Sequence, residues 1–149
     1  MTEIAFYHLQ KSGLDQALPK LLSKTLEAGE RAVVLAGSQE RVDALNNMLW
    51  SVDPSGWLPH GSAKEGDADR QPIWLTTEEE NPNDASFLFL TDGVSAGDYS
   101  DYERCFDLFD GNDYGSVKAA RDRWKVLKEA GHALTYWQQN EQGRWEEKG

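Results

Sequence analysis

The chain is poor in the residues that usually mark an enzyme or a secreted protein. A single cysteine, Cys105, excludes an internal disulfide and fits a reducing, cytoplasmic setting. Its place in an apolar, strand-like stretch makes it an inert core thiol, not a nucleophile. The longest apolar runs, AVVLA and FLFL, fall far short of the ~20 residues that span a bilayer. The opening MTEIAFYHL has neither a basic start nor a long apolar stretch, so no signal peptide is expected. Positive charge is scarce: 15 Lys and Arg face 26 Asp and Glu, a net charge of −11. Such a chain is repelled by nucleic-acid phosphates wherever its cations are not clustered, so DNA is expected to bind only weakly or indirectly.

Phosphate-binding loops are missing as well. No GxGxxG occurs, and GSAKEG (61–66) runs into Asp67 and Ala68 where a Walker A loop needs Lys and Ser or Thr. The apolar run ending at Asp92 imitates a magnesium-binding strand end but has no lysine loop to serve. DGNDYG (110–115) resembles a calcium loop, yet Tyr114 fills its fifth position and Arg121 its twelfth. His8, His60 and His132 lack metal-ligand spacing, and no GxSxG elbow is present. His8 ends a strand, where α/β enzymes often keep catalysts; alone it reads as structural. No catalytic residue, metal or cofactor is expected.

What remains is a regular α/β pattern. At 149 residues the chain is the size of one domain, 1–149, and buries roughly two-thirds of its unfolded surface without staples. EIAFYHL (3–9) reads as a strand. LDQALPKLLSKTLEAGE reads as a helix with Leu14, Leu18, Leu21, Leu22 and Leu26 at helical spacing and Gly29 as its stop. RAVVLAG (31–37) is a strand apolar on both faces. SQERVDALNNMLW follows as a helix capped by Ser38, with Val42, Leu45 and Leu49 inward. This alternation predicts right-handed crossovers and a mostly parallel sheet with helices on both faces, a three-layer arrangement. Residues 51–71 read as a long loop. PIWLTT, SFLFLTD and about 104–109 read as strands, 116–131 as the clearest helix, HALTYWQQN as a strand, and GRWEEKG as a short strand or tail.

Two features stand out. Segment 118–128 carries Lys118, Arg121, Arg123, Lys125 and Lys128 against Asp122 alone. Lys118, Arg121, Lys125 and Lys128 share one helical stripe, and Val117, Ala120, Trp124 and Leu127 form a second, about 100° away. The pattern fits an ordinary amphipathic helix, or a dock for something both acidic and apolar. The second feature is LWSVDPSGWLPHG (49–61), which puts Trp50, Trp57, Leu58 and Pro59 in a loop, either as a lid on the core or as an exposed patch.

FYHL, GERAVVLAGSQERVDALNNMLW, WLPHG, QPIWL, FDLFD and AARDRWKVLKEAGHALTYWQQ, in this order, resemble the chi subunit family of bacterial DNA polymerase III. The resemblance implies a Rossmann-like α/β fold without a nucleotide-binding loop. It implies a non-enzymatic accessory subunit of the nucleotidyltransferase complex. Chi proteins connect the clamp loader, through its psi subunit, to the acidic C-terminal tail of single-stranded DNA-binding protein. That tail ends in acids, an apolar side chain and a free carboxylate. By resemblance, Arg121 and Lys125 hold the tail, flanked by Lys118 and Lys128 of the same stripe. Trp124 stands where the family often has another aromatic, Phe109 and Tyr136 lie near pocket positions, and Trp50 to Pro59 belong to the side offered to psi or another clamp-loader subunit. A different class stays open beside it: a small nucleotide- or metabolite-binding protein, or an enzyme, using the loops after Gly37 and Thr91.

Overall fold

The computed structural model describes residues 2–10, 13–51, 60–62, 66–96, 99 and 101–148. The chain runs β1 (Glu3–Leu9), α1 (Leu14–Glu27), β2 (Ala32–Leu35), α2 (Gln39–Ser51), β3 (Ile73–Thr76), β4 (Phe87–Leu90), β5 (Arg104–Asp110), α3 (Tyr114–Glu129), β6 (Ala133–Gln139) and β7 (Trp145–Glu147). One sheet holds all seven strands in the order β3-β2-β4-β5-β1-β6-β7. Among the described residues only the β6–β7 pair is antiparallel. The expected α/β sheet is therefore present, and the final segment is a strand.

The order follows from two opposed windings. β1 leads through α1 and α2 towards β2 and β3, whereas β5 leads through α3 across β1 to β6. Right-handed crossovers in opposite directions put α1 and α2 on one face and α3 on the other. The core divides accordingly. Leu18 and Leu22 of α1 and Val42, Leu45 and Leu49 of α2 pack on Tyr7, Val34, Phe89 and Phe106. Ala120 and Leu127 of α3 pack with Ile4, Phe6, Leu90, Cys105 and Phe109. The side chains along β1 alternate between these two cores, as strand geometry requires. Phe89 and Phe106 stack at 4.5 Å in the middle of the first core.

Local chemistry sets the element ends. The Ser38 hydroxyl accepts from the Arg41 amide at the start of α2. α1 closes at Gly29 and α3 at Gly131, both at positive φ. α3 begins two residues before the expected start, because Asp113 caps it and accepts from the Ser116 amide at 2.9 Å. Pro19 lies inside α1 and not in its first turn, so one helical hydrogen bond is missing there. Asp110 Oδ1 accepts from the Asn112 amide, an Asx-type turn that leads from β5 towards α3.

Candidate functional site

Strand register assembles an aromatic cluster beneath α3. His8 stands opposite Phe109 on β5, and Phe6 opposite Tyr136 on β6. All four face α3, and Trp124 of α3 closes the group. Phe6 and Trp124 meet edge to face at 5.3 Å, Trp124 and Tyr136 at 6.0 Å, and His8 and Phe109 at 5.2 Å. His8 Nδ1 and the Tyr136 hydroxyl share a hydrogen bond of 2.5 Å. Phe109 is buried and backs the cluster, while Trp124 and Tyr136 remain half-exposed at its rim.

Beside this rim runs the cationic stripe. Lys118, Arg121, Lys125 and Lys128 are all exposed, and among the described residues none has an ion pair or hydrogen bond. The stripe spans about 15 Å at 1.5 Å per residue. Arg123 is different. Its Nε and Nη2 donate to Asp107 Oδ2 and Oδ1 at 2.7 and 3.0 Å, with side-chain exposures of 12% and 2%. One of the five cations counted from the sequence is thus spent inside the fold, anchoring α3 to β5.

The positive field of the stripe reaches the cluster. Burial lowers the His8 pKa, with a smaller push from Arg121, against opposing effects of the Gly111 main chain and Asp110. Burial raises the Tyr136 pKa and Arg121 partly offsets it. Both groups are therefore neutral at pH 7. Arg121, Tyr136, Trp124 and Phe109 form one constellation, with Lys125 one turn along. His8 is a member that sequence reasoning missed. Its signal was FYHL on β1, but only strand order puts β1 between β5 and β6.

A second concavity lies at the carboxyl ends of β1, β4 and β5, with a volume of about 990 Å³. Arg41, Asp92, Asp110, Asp113 and Arg123 are among its lining residues. Its polar groups are engaged with one another. Arg41 Nε donates to both Asp92 oxygens at 3.1 and 3.2 Å, and the Gly37 amide donates to Asp92 Oδ2. Asp113 serves its own helix. Asp92 thus closes a loop contact.

Of the tryptophan segment, Trp50 is 58% exposed at the end of α2, its ring 4.2 Å from that of buried His60. Trp50 is therefore no part of the core. Trp57, Leu58 and Pro59 lie outside the described residues.

The family model of the DNA polymerase III chi subunit, HolC, matches residues 1–135. The chain belongs to this family. It is also similar to "Probable DNA polymerase III subunit chi" of Rickettsia prowazekii (strain Madrid E), 30% identical over 90 residues. That match covers 60% of this chain and 54% of the relative, so the chain spans about half the length of the curated relative it matches. The matched family region contains α3 entire and ends within β6, taking in Arg121, Trp124 and Lys125 but stopping one residue before Tyr136. Among the described residues of this chi-family chain, no helix is long and apolar enough to cross a membrane.

Proposed function

We propose that this chi-family chain is a non-catalytic accessory subunit of the DNA polymerase III holoenzyme. In this reading it links the clamp loader to the acidic C-terminal tail of single-stranded DNA-binding protein, in the cytoplasm. The observation that carries it is the row of unpaired cations beside a half-exposed aromatic rim, on a chain otherwise strongly acidic. Such a strip suits an acidic, apolar-ended peptide, whose charge and apolar end it complements.

Arg121 offers a planar fork to the terminal carboxylate, and Lys125 adds a compact charge one turn away. Lys118 and Lys128 extend the field to acids further up the tail. Trp124 and Tyr136 take the apolar terminal side chain, with Phe109 as backing. Trp50, with Trp57, Leu58 and Pro59 of the same sequence segment, is assigned to psi or another clamp-loader subunit. Titration with a tail peptide and with its C-terminally amidated form tests the tail site. The free acid should bind at least about tenfold tighter, since amidation removes a charge-assisted bond worth roughly 1.5–3 kcal/mol. Equal binding of both forms sinks the assignment of Arg121.

The crevice at the strand ends favours a second reading, in which a nucleotide or metabolite occupies it. Saturable binding of magnesium-ATP to the purified chain, abolished by Arg41→Ala, would support that reading; no binding at millimolar ligand removes it.

A further inference from the structure

Tyr136 reaches the surface from β6, a strand half-exposed along most of its length and flanked outward, among the described residues, by the three-residue β7. A tyrosine ring at such a place has freedom to swing unless something holds it. His8 supplies the hold. Its Nδ1 shares the 2.5 Å bond with the Tyr136 hydroxyl, and its ring meets those of Phe109 at 5.2 Å and Tyr136 at 5.9 Å. His8 is itself wedged. A Cβ at Gly111 would come within 2.0 Å of its Cδ2 and 2.8 Å of the Leu9 carbonyl oxygen, so the β5–α3 turn closes on the imidazole with no room for a side chain. The Gly111 amide donates to that same Leu9 oxygen at 2.7 Å, which pins the turn. The Gly111 main chain lies against the other His8 ring nitrogen, Nε2.

We propose that His8 is a positioning residue for the docking face: it holds the Tyr136 ring by its hydroxyl against Trp124 and Phe109, so that the apolar rim beside Arg121 is set before a ligand arrives. This rests on the acidic-tail reading above and deepens it. A rim already in place spares the bound state the cost of fixing a side chain.

Calorimetry with an acidic tail peptide tests it on wild type, His8→Leu, His8→Asn, Tyr136→Phe and the His8→Leu/Tyr136→Phe pair. Each loss of the hydrogen bond should weaken binding about two- to tenfold. The double variant should bind no worse than the weaker single, because both changes remove one interaction. His8→Asn, whose amide falls near the Nδ1 position, should restore most of the affinity. His8→Leu binding like wild type, or losses that multiply in the double variant, would overturn the proposal. Should His8→Leu fail to fold, Tyr136→Phe carries the same expectation of loss, and unaltered affinity there overturns it.

Failure of the tail reading itself is seen separately, as wild type taking up no peptide. The positioning role is then decided by the ring-flip rate of Tyr136 in nuclear magnetic resonance. Faster flipping in His8→Leu supports it, and an unchanged rate overturns it.

Discussion

Removing the Arg123 guanidinium should be among the most damaging single changes in this fold. Arg123 and Asp107 form a two-bond pair with almost no access to water. Arg123→Met keeps an unbranched apolar stem of similar length against the sheet and leaves Asp107 alone in the α3-side core. A buried charge stripped of its partner costs about 3–5 kcal/mol. For a domain of this size that lowers Tm by roughly 6–20 °C. The pH dependence gives a second check. Burial already raises the Asp107 pKa above its ordinary value, against the pull of Arg123. A raised folded pKa contributes stability that is full below the unfolded value and lost as pH rises through the folded one. Without Arg123 the folded pKa rises further, so the penalty should be larger at pH 8 than at pH 5. Asp107→Leu combined with Arg123→Met removes both charges and should recover much of the loss. Urea unfolding of the three proteins at both pH values measures all of this. A loss under about 1 kcal/mol for Arg123→Met, or a double variant no better than the single, would refute the reasoning.

Other perturbations probe the rest of the fold. Phe89→Ala, at a fully buried ring stacked on Phe106, should cost about 3–5 kcal/mol in chemical unfolding; a loss under about 1 kcal/mol would mean the core refills the space. Gly111→Ala should lower Tm because neither His8 nor the Leu9 carbonyl has room to retreat, and an unchanged Tm would mean the turn can move. Burial pushes Tyr99 and Tyr102 up to about 12, so their stabilisation is full below pH 10 and fades as pH rises towards 12. Alkaline unfolding followed by tyrosinate absorbance should therefore track their ionisation, and free titration near pH 10 in the folded protein would contradict it.

The parts legible in the sequence are those set by short-range chemistry. AVVL and FLFL are apolar throughout because β2 and β4 lie inside the sheet, with α1 and α2 over one face and Tyr99 and Tyr102 packed on the other. The α3 stripes follow from helical spacing alone, and Ala120 and Leu127 are buried as the apolar stripe requires. What escaped depended on partners distant in sequence. Arg123 counts as a surface cation until β5 turns Asp107 towards α3. His8 joins Tyr136 across 128 residues, and only because β1 pairs with both β5 and β6. The start of α3 escaped for a local reason, since Asp113 caps the helix and leaves exposed Tyr114 as its first residue. The lid alternative for Trp50 depended on where the end of α2 faces, which its own residues do not encode.

The central claim, that the exposed stripe of α3 takes an acidic tail, is tested most directly by calorimetry of a tail peptide against wild type, Arg121→Glu and Lys125→Glu. Both variants should retain the wild-type Tm, because neither side chain has a partner among the described residues. Each should lose at least about tenfold in affinity, Arg121→Glu the most, and added salt should weaken the wild-type complex. Equal affinity in all three proteins would contradict the claim and remove α3 from the binding site.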